Sequence, residues 1–415
     1  MKKIISTFLA LVIVFTSCCV VLADEVTTIE FWTWRPEDVT FYDEMIARFE
    51  EANPDVKVNQ TAINNTEYFT VLAAAMANNA GPDVMQMKCY GQLQTYIDSN
   101  YLAPLEEYIP ELADFSENAR RGAASNVDGV LYGVPAWSQA MLCYYNKSIY
   151  EELGLSVPDT WDAFINNLAK CKEANYDALA NGTKEGWCVE FLFGGSCLGF
   201  TGANDFYDKV VKGETTFEDP AFVTAVEKMG SLTEYMPKIY EGVAYTDMQS
   251  SFANEIAAHF IGGTYEYANF LNLNPDINLG VFAVPNIDGE PGYVATYSDM
   301  NFSMNSSTKN EDASIKFLKF LASKEFGQAA VEKLANVSIV PGVDAGSVPF
   351  IAEILELLKN SCPYIFAVGF RYEQPTGSSL FQSAGQSYMV GEITAEELCK
   401  KVQEGIATYY EPFQK

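Results

Sequence analysis

Histidine is almost missing from this chain. Of 415 residues only His259 is a histidine, and it stands in the apolar run Ala257-Ala258-His259-Phe260-Ile261, where a structural role is the expectation. A single histidine and the lack of any Gly-x-Ser-x-Gly stretch count against Ser-His-Asp catalysis. Basic residues are also scarce, 26 against 55 acidic, for a net charge of −29. A partner made of nucleic acid is therefore excluded, because phosphate backbones need a basic surface. The same acidity favours solubility in an exposed environment and mildly disfavours anionic ligands, although one local arginine could override that. No cysteines form a C-x-x-C pair, so neither a zinc ribbon nor a redox motif is supported. Gly194-Gly195-Ser196-Cys197-Leu198-Gly199 lacks the Lys-Ser/Thr ending of a phosphate loop and is expected to be a turn. No D-x-D-x-D-G calcium loop occurs. No metal and no cofactor are expected. Internal repeats and low-complexity linkers are missing as well.

What is present begins with an export signal. Lys2 and Lys3 precede an apolar run at 4–14 and a set of small residues, the pattern of a secretory leader. Two exits compete. Ser17-Cys18 resembles a bacterial lipobox, with Phe15 as a departure, and would make Cys18 a lipidated N-terminus. Val21-Leu22-Ala23 before Asp24 would serve an ordinary signal peptidase. An uncleaved anchor is the third reading, since the run is nearly long enough to span a bilayer. All three place the remainder outside the cytoplasm, with a leader at 1–23. Beyond Cys18 and Cys19 there remain seven cysteines, an odd number that leaves at least one free thiol in an exported chain.

The rest alternates strand and helix. Residues 27–34, ending in Phe31-Trp32-Thr33-Trp34, are rich in the residues that suit a pleated surface. Pro36 then fits a first helical position, with Glu37 and Asp38 at the positive end of the helix dipole. Phe41, Met45, Ile46 and Phe49 follow at helical spacing. Turns at Asn53-Pro54-Asp55 and Gly81-Pro82-Asp83 precede strands at 56–61 and 84–87. Thr160 caps a helix carrying Trp161, Phe164, Ile165 and Leu168, and Thr394-x-x-Glu397 forms a capping box. The expected fold class is α/β, and the length suits about two domains.

Taken in order, the stretches IEFWTW, ARFEEANPDVKV, AAMANNAGPDV, YLAPLEEYI, LYGVPAWSQAMLCYYNKSIYEELGL, PDTWDAF, HFIGGTYEYANF, FAVP and SIKFLKFLASKEFGQ carry a resemblance. Following an export signal, they make the chain similar to the extracellular solute-binding proteins of bacterial ABC importers, the carbohydrate-binding family that includes maltose-binding proteins. The resemblance implies a two-lobed periplasmic-binding-protein-like fold with a multi-segment hinge and a ligand cleft between the lobes. Crossings are expected near Gly133–Trp137, Val284–Pro291 and Ile339–Gly342. These would give one lobe of 24–133 plus 290–338 and another of 138–284 plus 342–415.

It further implies a monomer that captures a mono- or oligosaccharide and hands it to permease subunits, without enzymatic turnover. Trp34 is expected to face the cleft, with Trp32 buried behind it. Arg35 and Glu37 share that loop. Tyr90 ends the third strand, and Trp137 and Gln139 precede the Tyr-Asn-Lys segment. Tyr265 stands where the family has a stacking ring. Trp187 and Glu190 are expected from the second lobe, with Tyr297, Asp299, Arg371 and Tyr372 placed by neighbourhood. Two other classes remain open from the residues alone. A polyamine or another small cation would use aromatics and carboxylates together. A secreted carbohydrate hydrolase would combine tryptophans with a carboxylate pair, but no acid/base pair is recognisable.

Overall fold

In the computed structural model, residues 26–286 and 292–414 are described. The leader, Cys18 and part of the expected second crossing lie outside them. Among the described residues nine strands join one sheet. In chain order they are β1 (Thr27–Thr33), β2 (Val56–Ala62), β3 (Val84–Lys88), β4 (Val134–Asn146), β5 (His259–Gly263), β6 (Leu279–Phe282), β7 (Val294–Met304), β8 (Val337–Ser338) and β9 (Ser361–Pro363). The spatial path is β2-β1-β3-β7-β4-β5, with β6 and β8 on β4 and β9 on β7. β1 runs parallel to β2 and β3, while β7 is antiparallel to β3 and β4.

Two apolar cores flank this sheet. Phe31, Tyr42, Phe49, Trp137, Phe302 and Phe326 belong to the first. Tyr144, Phe164, Phe193, Phe222, Phe366 and Phe381 belong to the second. The long strands β4 and β7 serve both. β4 passes from one core to the other between Trp137 and Ala140, and β7 does so in reverse between Ala295 and Met300. Their mutual register shifts around Trp137 and Ser138, a bulge that re-aims side chains where the strands change lobes. The fold is thus α/β with two lobes. The change of core inside β7 lies beyond the 284–291 stretch where the second crossing is expected. A strand can bridge two cores because its residues alternate faces and its backbone stays paired throughout. In the third, Val337 packs with the second core and Val340 with the first.

Local signals hold where a single side chain decides them. Thr160 Oγ1 accepts from Ala163 N at 3.1 Å, and Thr394 and Glu397 close their capping box. His259 is fully buried, its Nδ1 beside the Ala178 carbonyl and its Nε2 beside Tyr150 Oη, each at 2.7 Å. Burial pushes its pKa down to about 4, so it is a neutral structural imidazole. All seven described cysteines are buried and free. The glycine stretch at 194–199 is not a turn. Gly194 and Gly195 lie inside the helix Gly186–Ser196. A Cβ on Gly194 would sit 2.4 Å from the Tyr364 ring, and one on Gly195 2.6 Å from Ile261. These glycines let the helix pack close, and tertiary contact overrides their low helix propensity.

Trp137 departs from its expected place in the ligand site. It is 1% exposed, stacked at 20° on Phe326 and edge-on to Phe302. It sits within the register shift of β4 against β7, and its indole faces the first core.

Candidate functional site

The chain ends of β1, β3 and β5 and the crossing region of β7 converge at one place between the two cores. β1 contributes the loop that follows it. Gln86 of β3 fixes that loop: its Oε1 accepts from Thr33 Oγ1 at 2.6 Å and from Trp34 N at 3.2 Å. Trp34 packs on Tyr68 and Phe69. Lys88 Nζ lies 4.4 Å from the centre of the Trp34 ring and 3.0 Å from Asp299 Oδ1 of β7. A cation over an indole face and beside a carboxylate is held by both. Trp34 is 3% exposed, whereas Trp32 is only half-buried. That corrects the expected order of burial. The inward face of β1 is Ile29, Phe31 and Thr33, so Trp32 falls on the other face, while Trp34 lies past the last paired residue and turns in.

Arg35 is held by Asp38 through Nε and by Glu37 at 3.4 Å. Its guanidinium acts electrostatically on Asp299 and on Glu266 of the second lobe. Glu37 itself is 44% exposed at the helix start, so it serves Arg35 and does not wall the cleft.

The second lobe answers with β5 and its following helix. Tyr265 precedes the helix Glu266–Leu273 and is half-buried. It lies within electrostatic reach of Tyr297, Glu266 and Asp299. Tyr297 of β7 stands 5.3 Å from the Tyr364 ring. Glu190 is buried, accepting from Ser378 Oγ at 2.9 Å and Gln382 Nε2 at 2.6 Å, with Arg371 3.7 Å away. Trp187, one turn before, packs edge-on to Tyr245 at 4.5 Å. Gln139 is paired in register with Tyr297. Its Oε1 accepts from Thr264 Oγ1 at 2.5 Å, and its buried Nε2 has no partner among the described residues. Such a donor is costly unless something accepts from it. Tyr90 Oη accepts from Ser298 N at 3.1 Å, and its ring meets Tyr372 edge-on.

Of the residues expected here, Trp34, Arg35, Gln139, Glu190, Tyr265, Tyr297, Asp299 and Arg371 are brought together. Tyr90, Trp187 and Tyr372 flank them, and Glu37 and Trp137 stand outside. Lys88, Tyr245, Gln249, Glu266 and Tyr364 were missed. Lys88 carried a faint signal as the lone base ending an apolar strand. Glu266 reads from sequence as an ordinary helix-start acid.

Glu266 is fully buried, accepting from Tyr245 Oη and from Gln249 Nε2 at 2.8 Å. Burial raises its pKa from 4.5 to about 7, against the pull of those donors and of Arg35. A carboxyl raised in the folded state stabilises the fold below its unfolded pKa and loses that contribution as pH rises through its folded value. About 3 kcal/mol should therefore be lost between about pH 4.5 and 7. Glu266→Gln should remove this loss. Urea midpoints at pH 5 and pH 8 for both proteins check it, and equal pH slopes would refute it.

No helix among the described residues is long and apolar enough to cross a membrane. Comparison with known proteins gives a consistent result. The multiple sugar-binding protein of Streptococcus mutans is 25% identical over 337 residues, covering 77% of each chain. The maltooligosaccharide ABC transporter solute-binding lipoprotein of Streptococcus pneumoniae is 23% identical over 350 residues, 80% of this chain and 78% of that one. An ABC transporter solute-binding protein of Thermotoga lettingae, solved with α-D-tagatose, superposes with a TM-score of 0.77 at 20% identity, covering 92% of this chain and all of that one. The family model described as bacterial extracellular solute-binding protein matches residues 33–328, and this chain belongs to that family.

Proposed function

We propose that this protein captures a neutral mono- or oligosaccharide between its lobes and delivers it to the permease of an ABC importer. The carrying observation is that the cations of the cleft are already neutralised. Arg35 is held by Asp38, Lys88 by Asp299 and Arg371 by Glu190. Glu266 is buried and already accepts from Tyr245 and Gln249, and burial raises its pKa to about 7. What is left to a ligand is aromatic walls, the half-buried Tyr265 and Tyr297 with Trp34 behind Lys88, and hydrogen-bonding groups between them. Apolar walls with a few placed polar groups suit the C–H faces and hydroxyls of a sugar. A polyamine would need carboxylates without partners, which this cleft does not offer. The sugar-binding names of the relatives support the same reading. Binding proceeds without turnover, in a monomer outside the cytoplasm, tethered to the membrane by a lipid on Cys18. An unmodified Asp24 at the mature N-terminus in intact-mass spectra would remove the tether.

A thermal-shift screen of mono- and oligosaccharides with spermidine as comparison tests the ligand class. A sugar at 100 times its dissociation constant should add about 2.7 kcal/mol. Tyr265→Ala should then weaken that sugar about 10- to 100-fold while leaving unliganded stability nearly unchanged. A shift with spermidine and with no sugar would overturn the assignment.

A further inference from the structure

A second concavity opens between the lobes, beyond the point where Tyr90 meets Tyr372. Its volume is about 470 Å³, within the size range of small-molecule sites. The first lobe lines it with Arg120 and Arg121 of the helix Glu117–Ala123, and the second with Tyr207, Tyr372 and Tyr410. The two arginines differ. Arg121 is ion-paired with Glu117 at 3.3 Å, both well exposed. Arg120 is half-buried, its Nε is buried without an acceptor, and no carboxylate among the described residues lies within ion-pair distance. In a chain with 55 acidic against 26 basic residues, an arginine left without an acid is out of keeping with its surroundings. An unsatisfied buried guanidinium N–H is destabilising unless an acceptor arrives.

The ligand chemistry follows from this lining. A guanidinium is a planar fork that matches a carboxylate with two parallel hydrogen bonds. Tyrosine rings supply apolar faces beside it. Two acids, Glu106 and Glu117, balance the two arginines in formal charge, but only Arg121 is ion-paired, so Arg120 is the one cation left without a partner among the described residues, which suits one carboxylate and not a polyanion. We propose that this groove is a second ligand site that takes an acidic sugar unit, a uronate, with its carboxylate on Arg120 and its ring against the tyrosines. The proposal rests on the sugar-binding reading and adds to it a ligand class that the neutral cleft does not select.

The test uses the full mature chain in titration calorimetry with D-glucuronate and D-galacturonate, against D-glucose and D-galactose at equal ionic strength. The wild type should bind at least one uronate about tenfold or more tightly than its neutral counterpart, the scale of a charge-assisted hydrogen bond. Arg120→Gln should abolish that preference, and Arg120→Lys should keep only part of it, since an ammonium retains charge without the fork. Unliganded melting temperatures of both variants show that they are folded; if the glutamine variant is not, the lysine variant carries the test. Equal affinity for uronate and neutral sugar, or a uronate preference that survives in the folded variants, would overturn the site. Failure here with neutral oligosaccharides still bound by the wild type removes only this groove. Failure of every sugar removes the proposed function as well.

Discussion

Gly91→Val is expected to weaken ligand capture by more than about 100-fold, because the side chain would hold the lobes apart and forfeit contacts worth about 3 kcal/mol or more. Gly91 opens the helix Gly91–Asp98, which the first core holds through Leu93 and Tyr96. A Cβ built on it would lie 1.6 Å from the Arg371 carbonyl oxygen and 2.9 Å from Tyr372 Cα. These are backbone atoms and cannot rotate away. Arg371 follows Phe370, which is buried in the second core. The clash therefore falls on the approach of one lobe to the other, and hinge closure is what such binding proteins use to enclose ligand. Opening of the lobes that parts Gly91 from Arg371 would relieve this clash, so unliganded stability is expected to change little. Calorimetry, a urea midpoint and small-angle scattering together check this. Wild-type affinity, or a large loss of stability in place of affinity, would show that Gly91 and Arg371 do not separate.

Trp137→Ala is expected to do the opposite, costing about 3–5 kcal/mol of stability as a large-to-small change in a packed core. The ring is among the largest fully buried side chains, wedged between Phe302 and Phe326. It also lies on β4 just before that strand changes lobes, so the cavity would loosen the first core at its hinge edge. The urea midpoint should fall sharply, and sugar affinity of the remaining folded protein should change little. A variant with wild-type stability and weakened binding would place the indole in the cleft after all.

The contrast between Trp137 and Trp34 shows how far the sequence could be read. Both are tryptophans near a strand end, followed within a few residues by polar groups. The alternation of β1 is visible in its residues, but Trp34 lies past the last paired residue, where alternation no longer applies. The bulge at Trp137 and Ser138 likewise resets which side chains face which lobe. No local pattern announces either event. Gly194 and Gly195 make the same point, since glycines read as a turn until the rings and methyls that crowd them are in place.

The sequence by itself determined the alternation of strand and helix, the caps at Thr160 and Thr394, and a resemblance strong enough to imply two lobes. Each of these is set by neighbours a few residues apart: side-chain oxygens reaching the next backbone amides, or apolar residues repeating at the helical or strand period. Only the tertiary structure decided which polar residues face one another. Lys88 meets Asp299 across 211 positions of chain, and Glu190 meets Ser378 across 188. Glu266 becomes a carboxyl with a pKa of about 7 because burial outweighs the donors Tyr245 and Gln249 and the charge of Arg35 from the other lobe. Charge pairing and desolvation depend on distance through space and on the exclusion of water, neither of which is written in the order of the residues.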